Sequence, residues 1–198
     1  MTRSRRRTPI AGLAAALSCC LVVSACGDDS RTLRPAAPDL TQSIVDPTTT
    51  AAPTVFTLSG PWVSGTEIDK VHTCIGADTS PALRWSATPT DAVDLAIVAT
   101  EVGPKPVIHW VVTGIDPIVN SLAEGRVPDG TVESINDFGK AGWSGPCPAL
   151  GFGGTLTIEL LALRSVLAVT SDTPGTDVIA MARAAAIATA TYTGTVAA

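Results

Sequence analysis

Short apolar runs, separated by Gly, Pro, Asp and Ser, fill the chain from Val55 onward. Runs of this length that are rich in β-branched residues are typical of strands. The best strand candidates are residues 56–58, 83–86, 95–99, 107–113 and 156–163. The pattern therefore predicts a domain built mainly from β-strands.

Two of these runs, residues 95–99 and 107–112, are apolar on both alternating faces. Strands of this kind lie inside a sheet that is covered on both sides. The Gly-Pro-Lys-Pro segment at residues 103–106 separates them. It is too short for a crossover helix, because a parallel connection needs about a dozen residues. We therefore expect the two runs to be antiparallel neighbours.

One segment, residues 178–189, has a helical pattern, since it is rich in Ala and offers apolar side chains for burial. Thr176 precedes it as a candidate N-cap, and the charge of Asp177 complements the positive end of the helix. Residues 190–196 alternate Thr with apolar residues and predict a closing strand. Residues 54–198 are thus expected to form one domain, which is large enough for a single core.

The first 26 residues have the pattern of a bacterial lipoprotein export signal. Four arginines lie within the first seven positions, and residues 10–23 are apolar. The Val-Ser-Ala-Cys sequence that ends at Cys26 matches a lipobox, whose cysteine thiolate takes up a diacylglyceryl group. We predict that residues 1–25 are a removed signal peptide and that Cys26 is lipidated. The alternative is an uncleaved membrane anchor, but the apolar stretch is shorter than the roughly 20 residues that span a bilayer.

The segment that follows, residues 26–53, predicts a lipidated cysteine and a flexible tether. It contains four prolines and a run of three threonines, and it has no sustained apolar period. A flexible coil of this length holds a domain roughly 30 Å from its anchor on average. The expected location is the extracytoplasmic face of the cell membrane, reached through the lipid.

The charge of the chain limits its partners. The 198 residues include 13 Lys and Arg against 18 Asp and Glu, and the four N-terminal arginines leave with the signal peptide. A body this acidic repels phosphate backbones and anionic lipid surfaces. We therefore expect no nucleic-acid partner, and contact with the membrane through the lipid anchor only.

Two cysteines, Cys74 and Cys147, remain in the domain after export. An even pair in an oxidising compartment favours a disulfide, which would close a loop worth roughly 4 kcal/mol in the chain-entropy model. The alternative is a metal site that combines both cysteines with His72 and His109. Zinc needs three or four convergent ligands, and the spacing matches no zinc finger. We therefore favour the disulfide and expect no metal and no cofactor.

His109 lies inside the most hydrophobic predicted strand, and Glu101 closes the strand before it. A polar ring in such a place costs free energy unless it is hydrogen-bonded. If the two strands form a hairpin, both side chains end near the same edge of the sheet and can line a pocket with a carboxylate and an imidazole. The alternative is that His109 is an ordinary core histidine whose hydrogen bonds are satisfied.

A second candidate region contains Asn-Asp-Phe-Gly-Lys at residues 136–140 and Gly-Trp-Ser-Gly-Pro-Cys-Pro at residues 142–148. Gly and Pro at this density predict a fixed irregular loop, and backbone amides in such loops can bind anions. The alternative is an ordered surface loop without a ligand. The sequence has no nucleophile elbow, phosphate-binding loop or His-Glu-x-x-His motif, so we expect no enzyme.

Several motifs together resemble the phosphatidylethanolamine-binding protein family, in its bacterial Raf-kinase-inhibitor-like branch. The Thr-Cys-Ile-Gly-Ala-Asp-Thr-Ser-Pro sequence at residues 73–81 is similar to a family loop, and Leu-Arg-Trp-Ser follows it. The paired strands, the loop at residues 136–148 and the C-terminal helix and strand come next in family order. The resemblance covers essentially all of residues 54–198.

This resemblance implies a mostly β fold with a large antiparallel central sheet, a smaller sheet and a short C-terminal helix. It also implies one small pocket for phosphate or phosphoryl head groups. Matched by position, His109 is the family's strand histidine and Glu101 falls where the family's Asp-Pro-Asp-Ala-Pro motif begins. Gly145 and Pro146 match the Gly-Pro of the pocket wall.

The chain departs from the family at two places. Thr-Glu-Val-Gly-Pro at residues 100–104 replaces most of the Asp-Pro-Asp-Ala-Pro motif, and Gly-Gly-Thr at residues 153–155 replaces the usual His-Arg-Tyr. The family's second pocket histidine and its tyrosine are therefore missing. Each lost donor would reduce the binding free energy for an anion by about 1–3 kcal/mol. We expect a non-catalytic domain that binds a small anionic or phosphorylated ligand. The alternative is an interaction or inhibitor module with a vestigial pocket and a protein partner in the cell envelope.

Overall fold

The computed structural model describes residues 54–103, 105–147 and 154–196. The predicted signal peptide, Cys26 and the tether lie outside these residues. Within the described part of the chain, no helix is both long and apolar enough to cross a membrane.

The described residues form eight strands, one α-helix and a short 3-10 turn at Lys70–His72. In chain order the elements are β1 (Thr57–Ser59), β2 (Leu83–Ser86), β3 (Asp94–Val102), β4 (Val107–Ile115), β5 (Ser121–Leu122), β6 (Val132–Glu133), β7 (Thr155–Leu163), α1 (Gly175–Ala185) and β8 (Ala186–Thr195).

The strands form two sheets in which every neighbouring pair is antiparallel. The larger sheet has the order β6-β4-β3-β7-β8, and the smaller has the order β1-β2-β5. The mostly β fold and the antiparallel pairing of β3 with β4 are confirmed. The two-residue strands β5 and β6 were not predicted, because segments this short have no readable period.

The core lies on both faces of the larger sheet. On one face, Leu95 and Ile97 of β3 pack in a cluster that includes Leu83 and Trp85 of the smaller sheet. On the other face, Ala96 and Val98 pack in a cluster that includes buried side chains of α1. Strand β3 is therefore covered on both sides, as its apolar pattern predicts.

The predicted bounds of the helix were wrong at both ends. The N-cap is Pro174, whose side chain has no acceptor for a capping bond. The amide of Gly175 at the start of the helix donates to the carbonyl of Ile135 at 2.8 Å. The helix ends at Ala185, and Ala186 already pairs with Leu163 of β7. Pairing with β7 outweighs the helical propensity of the Ala-rich segment, since propensity is a weak preference that tertiary context overrides.

A seam joins the beginning of the domain to its end. The phenol of Tyr192 on β8 accepts a hydrogen bond from the backbone amide of Trp62 at 2.8 Å and donates one to the Trp62 carbonyl. The two rings stack with centroids 4.8 Å apart, and the Trp62 indole donates to the carbonyl of Thr193 at 2.9 Å. Further along, the amide of Ile68 donates to the carbonyl of Thr195 at 3.0 Å. The segment that precedes the 3-10 turn at Lys70–His72 is thereby fixed along the end of β8.

Asp94, at the start of β3, is a buried carboxyl with only 3% of its surface exposed. Hydrogen bonds from backbone amides, among them those of Gly114 and Leu167, favour the charged form. Burial outweighs them and raises the pKa of Asp94 above its ordinary value of 3.8. The folded chain therefore holds this proton more tightly than the unfolded chain does.

We predict a pH-dependent difference in stability between the wild type and Asp94→Asn. Above the folded pKa, the buried charge of Asp94 costs stability, and this cost disappears as the pH falls through the folded pKa towards 3.8. The free energy of unfolding of the wild type should therefore rise relative to that of Asp94→Asn as the pH is lowered from neutral. Urea titrations across this range measure the difference, with exposed Asp91→Asn as the control. A difference that stays constant with pH would contradict the prediction.

Candidate ligand-binding site

The site is created by a bulge in β4 at His109. The register between β3 and β4 passes from Ala99–Trp110 directly to Thr100–Ile108, so His109 has no partner on β3. In an unbroken ladder His109 would lie opposite Thr100, on the other face from Glu101, because successive side chains alternate between faces. The extra residue changes this parity and re-aims the side chain.

The bulge brings the imidazole of His109 against the carboxylate of Glu101. His109 Nε2 lies 3.2 Å from Glu101 Oε2, and both residues are buried, with 1% and 5% of their surfaces exposed. His109 Nδ1 lies 2.5 Å from the backbone carbonyl of Ser144. A carbonyl only accepts, so Nδ1 must be the donor. The contact between Nε2 and Oε2 then requires one further proton, held either by the histidine or by the glutamate.

Asn136 fixes the loop that orients His109. Its side-chain amide nitrogen donates to the His109 carbonyl at 3.2 Å, the Gly142 carbonyl at 2.9 Å and the Ser144 hydroxyl at 3.0 Å. Its side-chain oxygen accepts from the backbone amides of residues 138 and 140. Asn136 is 4% exposed, so these bonds are largely shielded from water. The loop is therefore a rigid support for the carbonyl that holds His109 Nδ1.

A cavity of about 310 Å³ opens over the Glu101–His109 pair. The ring of Phe138, which is 40% exposed, forms one wall with its centroid 5.4 Å from that of His109. Asp137 lies beside it, with Oδ2 accepting from the amide of Ile108 at 2.8 Å. The described residues that line the cavity are Glu101, Lys105, Pro106, Val107, His109, Asp137, Phe138 and Cys147.

The electrostatic character of the cavity is mixed. Glu101 and Asp137 contribute carboxylates, and exposed Lys105 is the one lysine or arginine among the described lining residues. His109 adds a second cation when both of its ring nitrogens are protonated. A ligand that presents both an anionic group and a proton-donating group therefore matches the lining better than a simple anion does.

Gly145 and Pro146 lie behind the wall of the cavity rather than among its described lining residues. The amide of Gly145 donates to Asp78 Oδ1 at 2.6 Å, and a Cβ at this position would lie only 2.9 Å from the Cα of Thr73. The carbonyl of Pro146 accepts from the amide of Cys74 at 3.0 Å. Both residues therefore attach the loop at residues 136–147, called here the pocket loop, to the segment at residues 72–78.

A disulfide strengthens the same attachment. Cys74 and Cys147 are bonded, with their Cα atoms 5.1 Å apart, and Cys147 forms part of the cavity wall. Because both sulfurs are in the disulfide, the alternative metal site has no thiolate ligands. His72 points its Nδ1 at the carbonyl of Thr79, 2.8 Å away. Within the described ranges, no group of three or more His, Cys, Asp or Glu side chains is placed to hold a metal ion.

Lys105, Asp137 and Phe138 line the cavity but were not predicted as site residues. Asp137 and Phe138 belong to the loop motif that the sequence singles out, and their position directly after Asn136 is the signal that points to them. Lys105 lies in the turn between β3 and β4. The predicted hairpin could have indicated its position. The turn of a hairpin lies at the end of its two strands, which is where Glu101 and His109 were expected.

Comparisons with known proteins identify the family of this fold. The family model for phosphatidylethanolamine-binding proteins matches residues 59–197, so the chain belongs to this family. It is 38% identical over 162 residues to LppC of Mycobacterium tuberculosis, whose name marks it as a candidate lipoprotein, with 77% of each chain covered.

Two solved structures have the same fold. Escherichia coli YbcL, described as a member of the mammalian family of these proteins, superposes with a TM-score of 0.68 at 28% identity. That alignment covers 72% of this chain and 98% of YbcL. The candidate family homologue CT736 of Chlamydia trachomatis gives a TM-score of 0.64 at 28% identity, covering 71% of this chain and 95% of CT736.

We predict that Asn136→Ala destabilises the protein by about 2–4 kcal/mol, because it leaves several buried hydrogen-bonding groups without partners. Chemical denaturation should show a lower midpoint with an unchanged slope. Exposed Asn120→Ala, whose side chain makes no recorded hydrogen bond in the described structure, is the matched control. Equal stability of the two variants would mean that the loop does not depend on Asn136.

Proposed function

We propose that this chain is a membrane-anchored lipoprotein whose domain binds a small anionic or phosphorylated ligand without converting it. The observation that carries the proposal is the buried Glu101–His109 pair, 3.2 Å apart, at the floor of an open cavity. A buried ionisable pair in a small concave site is the arrangement expected of a ligand-binding pocket.

The lining supports a ligand with a phosphoryl group and its own positive charge. Lys105 can donate charge-assisted hydrogen bonds to phosphoryl oxygens, and a protonated His109 would add a positive charge at the base of the cavity. The carboxylates of Glu101 and Asp137 oppose a bare dianion but attract an ammonium group. Phosphoethanolamine therefore fits these charges better than inorganic phosphate does.

Binding without catalysis is the simplest role for this set of residues. Ser144, whose hydroxyl lies within the pocket loop, is 5% exposed, and its side-chain oxygen accepts a hydrogen bond from Asn136. Its carbonyl, rather than its hydroxyl, contacts His109. The imidazole is thus not placed to activate this serine as a nucleophile.

A second candidate function is that of an interaction or inhibitor module with a vestigial pocket. The specific observation that favours it is the excess of carboxylates over fixed cations in the described cavity lining. Exposed Phe138 and Val102, near the pocket, offer apolar contact to an envelope protein. The ligand titrations below distinguish this function from the first.

Titration with phosphoethanolamine, followed by calorimetry or NMR, should show saturable binding that His109→Ala abolishes. Lys105→Ala should weaken binding about fivefold to tenfold, because one charge-assisted contact is lost. Lys70→Ala, which removes an exposed lysine outside the cavity lining, is the matched control and should leave the affinity unchanged. Unfolding curves for each variant show whether a lost response reflects a lost fold.

Glu101→Gln separates the two parts of the ligand. Removing this negative charge should strengthen the binding of inorganic phosphate and weaken that of phosphoethanolamine, because only the latter carries an ammonium group. If the wild type shows no saturable response to either compound, the ligand-binding proposal fails and the interaction module is favoured.

The membrane anchor is proposed from the lipobox at Cys26 together with the name of the LppC relative. Cells that express the full chain should incorporate radiolabelled palmitate into it, and globomycin should block its processing. Cys26→Ala should lose the label, whereas Cys20→Ala, within the predicted signal peptide, should keep it. A Cys26→Ala protein that still takes up lipid would rule out this attachment site.

A further inference from the structure

A second cavity of about 370 Å³ lies beside β6 and shares none of its described lining residues with the first. Its walls come from the segments at residues 78–80, 125–127 and 142–143 and from Glu133. Its volume is near the lower end of the range of roughly 300–1,000 Å³ that is typical of small-molecule sites.

On these walls, each of two carboxylates accepts a hydrogen bond from the protein through one of its oxygens. Glu133 Oε1 accepts from the indole of Trp110 at 2.7 Å, and Asp78 Oδ1 accepts from the amide of Gly145 at 2.6 Å. Neither Glu133 Oε2 nor Asp78 Oδ2 has a recorded hydrogen bond within the described structure. Each carboxylate is therefore oriented by the protein and keeps an acceptor available.

Two donors on the same walls are unpaired. Only 6% of the surface of Ser80 is exposed, and its hydroxyl forms no hydrogen bond with the described residues. The indole nitrogen of Trp143 is fully buried and also has no partner there. Buried polar groups in native proteins are nearly always hydrogen-bonded. The unpaired hydroxyl of Ser80, beside two carboxylates that each keep a free acceptor oxygen, therefore indicates a site for a polar molecule.

The balance of charge selects the chemistry of that molecule. The described lining residues include two carboxylates, from Asp78 and Glu133, and one basic side chain, that of Arg126. The excess of negative charge disfavours an anion. The guanidinium of Arg126 in turn opposes a simple cation. A neutral molecule with several hydroxyl groups can donate to the carboxylates and accept from Ser80 and Arg126 at the same time.

We propose that this second cavity binds a neutral polyhydroxylated ligand, of the size of one or two sugar units. The ring of Trp143 offers an apolar wall for the C–H face of such a ligand, and the surrounding carboxylates and hydroxyls take its O–H groups. This proposal does not depend on the function of the first cavity, because the two share no described lining residue.

The test uses the full processed protein, purified in a detergent without a sugar head group and labelled with ¹⁵N. Methyl glycosides of glucose, galactose and N-acetylglucosamine are the neutral probes, with inorganic phosphate and propylamine as charged comparisons. A neutral glycoside should shift the Trp143 indole N–H signal and the amides of Gly125 and Gly142 saturably. The His109 amide should not move.

Ser80→Ala should weaken glycoside binding about tenfold, the loss expected for one buried hydrogen bond. Glu133→Gln should weaken it by a similar factor, and Ser165→Ala, an exposed serine elsewhere, is the matched control. The proposal is overturned if no glycoside shifts these signals at tens of millimolar. It is also overturned if Ser80→Ala binds as well as the wild type, or if only phosphate or propylamine shifts the signals.

Discussion

The site depends on a single extra residue in one strand. Without the bulge at His109, the alternation of side chains would put its imidazole on the opposite face from Glu101. The bulge also turns the His109 carbonyl towards the pocket loop, where the Ser144 amide and the Asn136 side chain donate to it. A local irregularity in the ladder thus sets the position of the ring, the proton on Nδ1 and the attachment of the loop above it.

The pocket loop contributes residues to the walls of both cavities. Asp137 and Phe138 line the first cavity, whereas Gly142 and Trp143 line the second. Asn136 and the disulfide at Cys147 hold the two parts of this loop in place. Since both walls belong to one fixed segment, a substitution in the loop that reshapes one cavity also alters the wall of the other.

Sequence patterns predicted what rests on local chemistry and missed what rests on tertiary contacts. The apolar runs of β3 and β4 and the short turn between them specify neighbouring antiparallel strands. The end of the helix was misjudged because Ala186 suits a helix as well as a strand, and only pairing with Leu163 decides between them. The bulge was not foreseen, because the partners that stabilise it lie at residues 136 and 144. Gly145 was assigned to the pocket by resemblance, whereas its close contact with Thr73 depends on how two distant loops pack.

Contacts between Trp62 and Tyr192 join the first segment of the described domain to its last strand. These residues are 130 positions apart, yet they bond to each other through both main-chain groups of Trp62. Trimming by a protease from either terminus would therefore open the same junction, and loss of the last strand would release the first segment as well. One set of contacts therefore holds both the first and the last segment of the described domain in place.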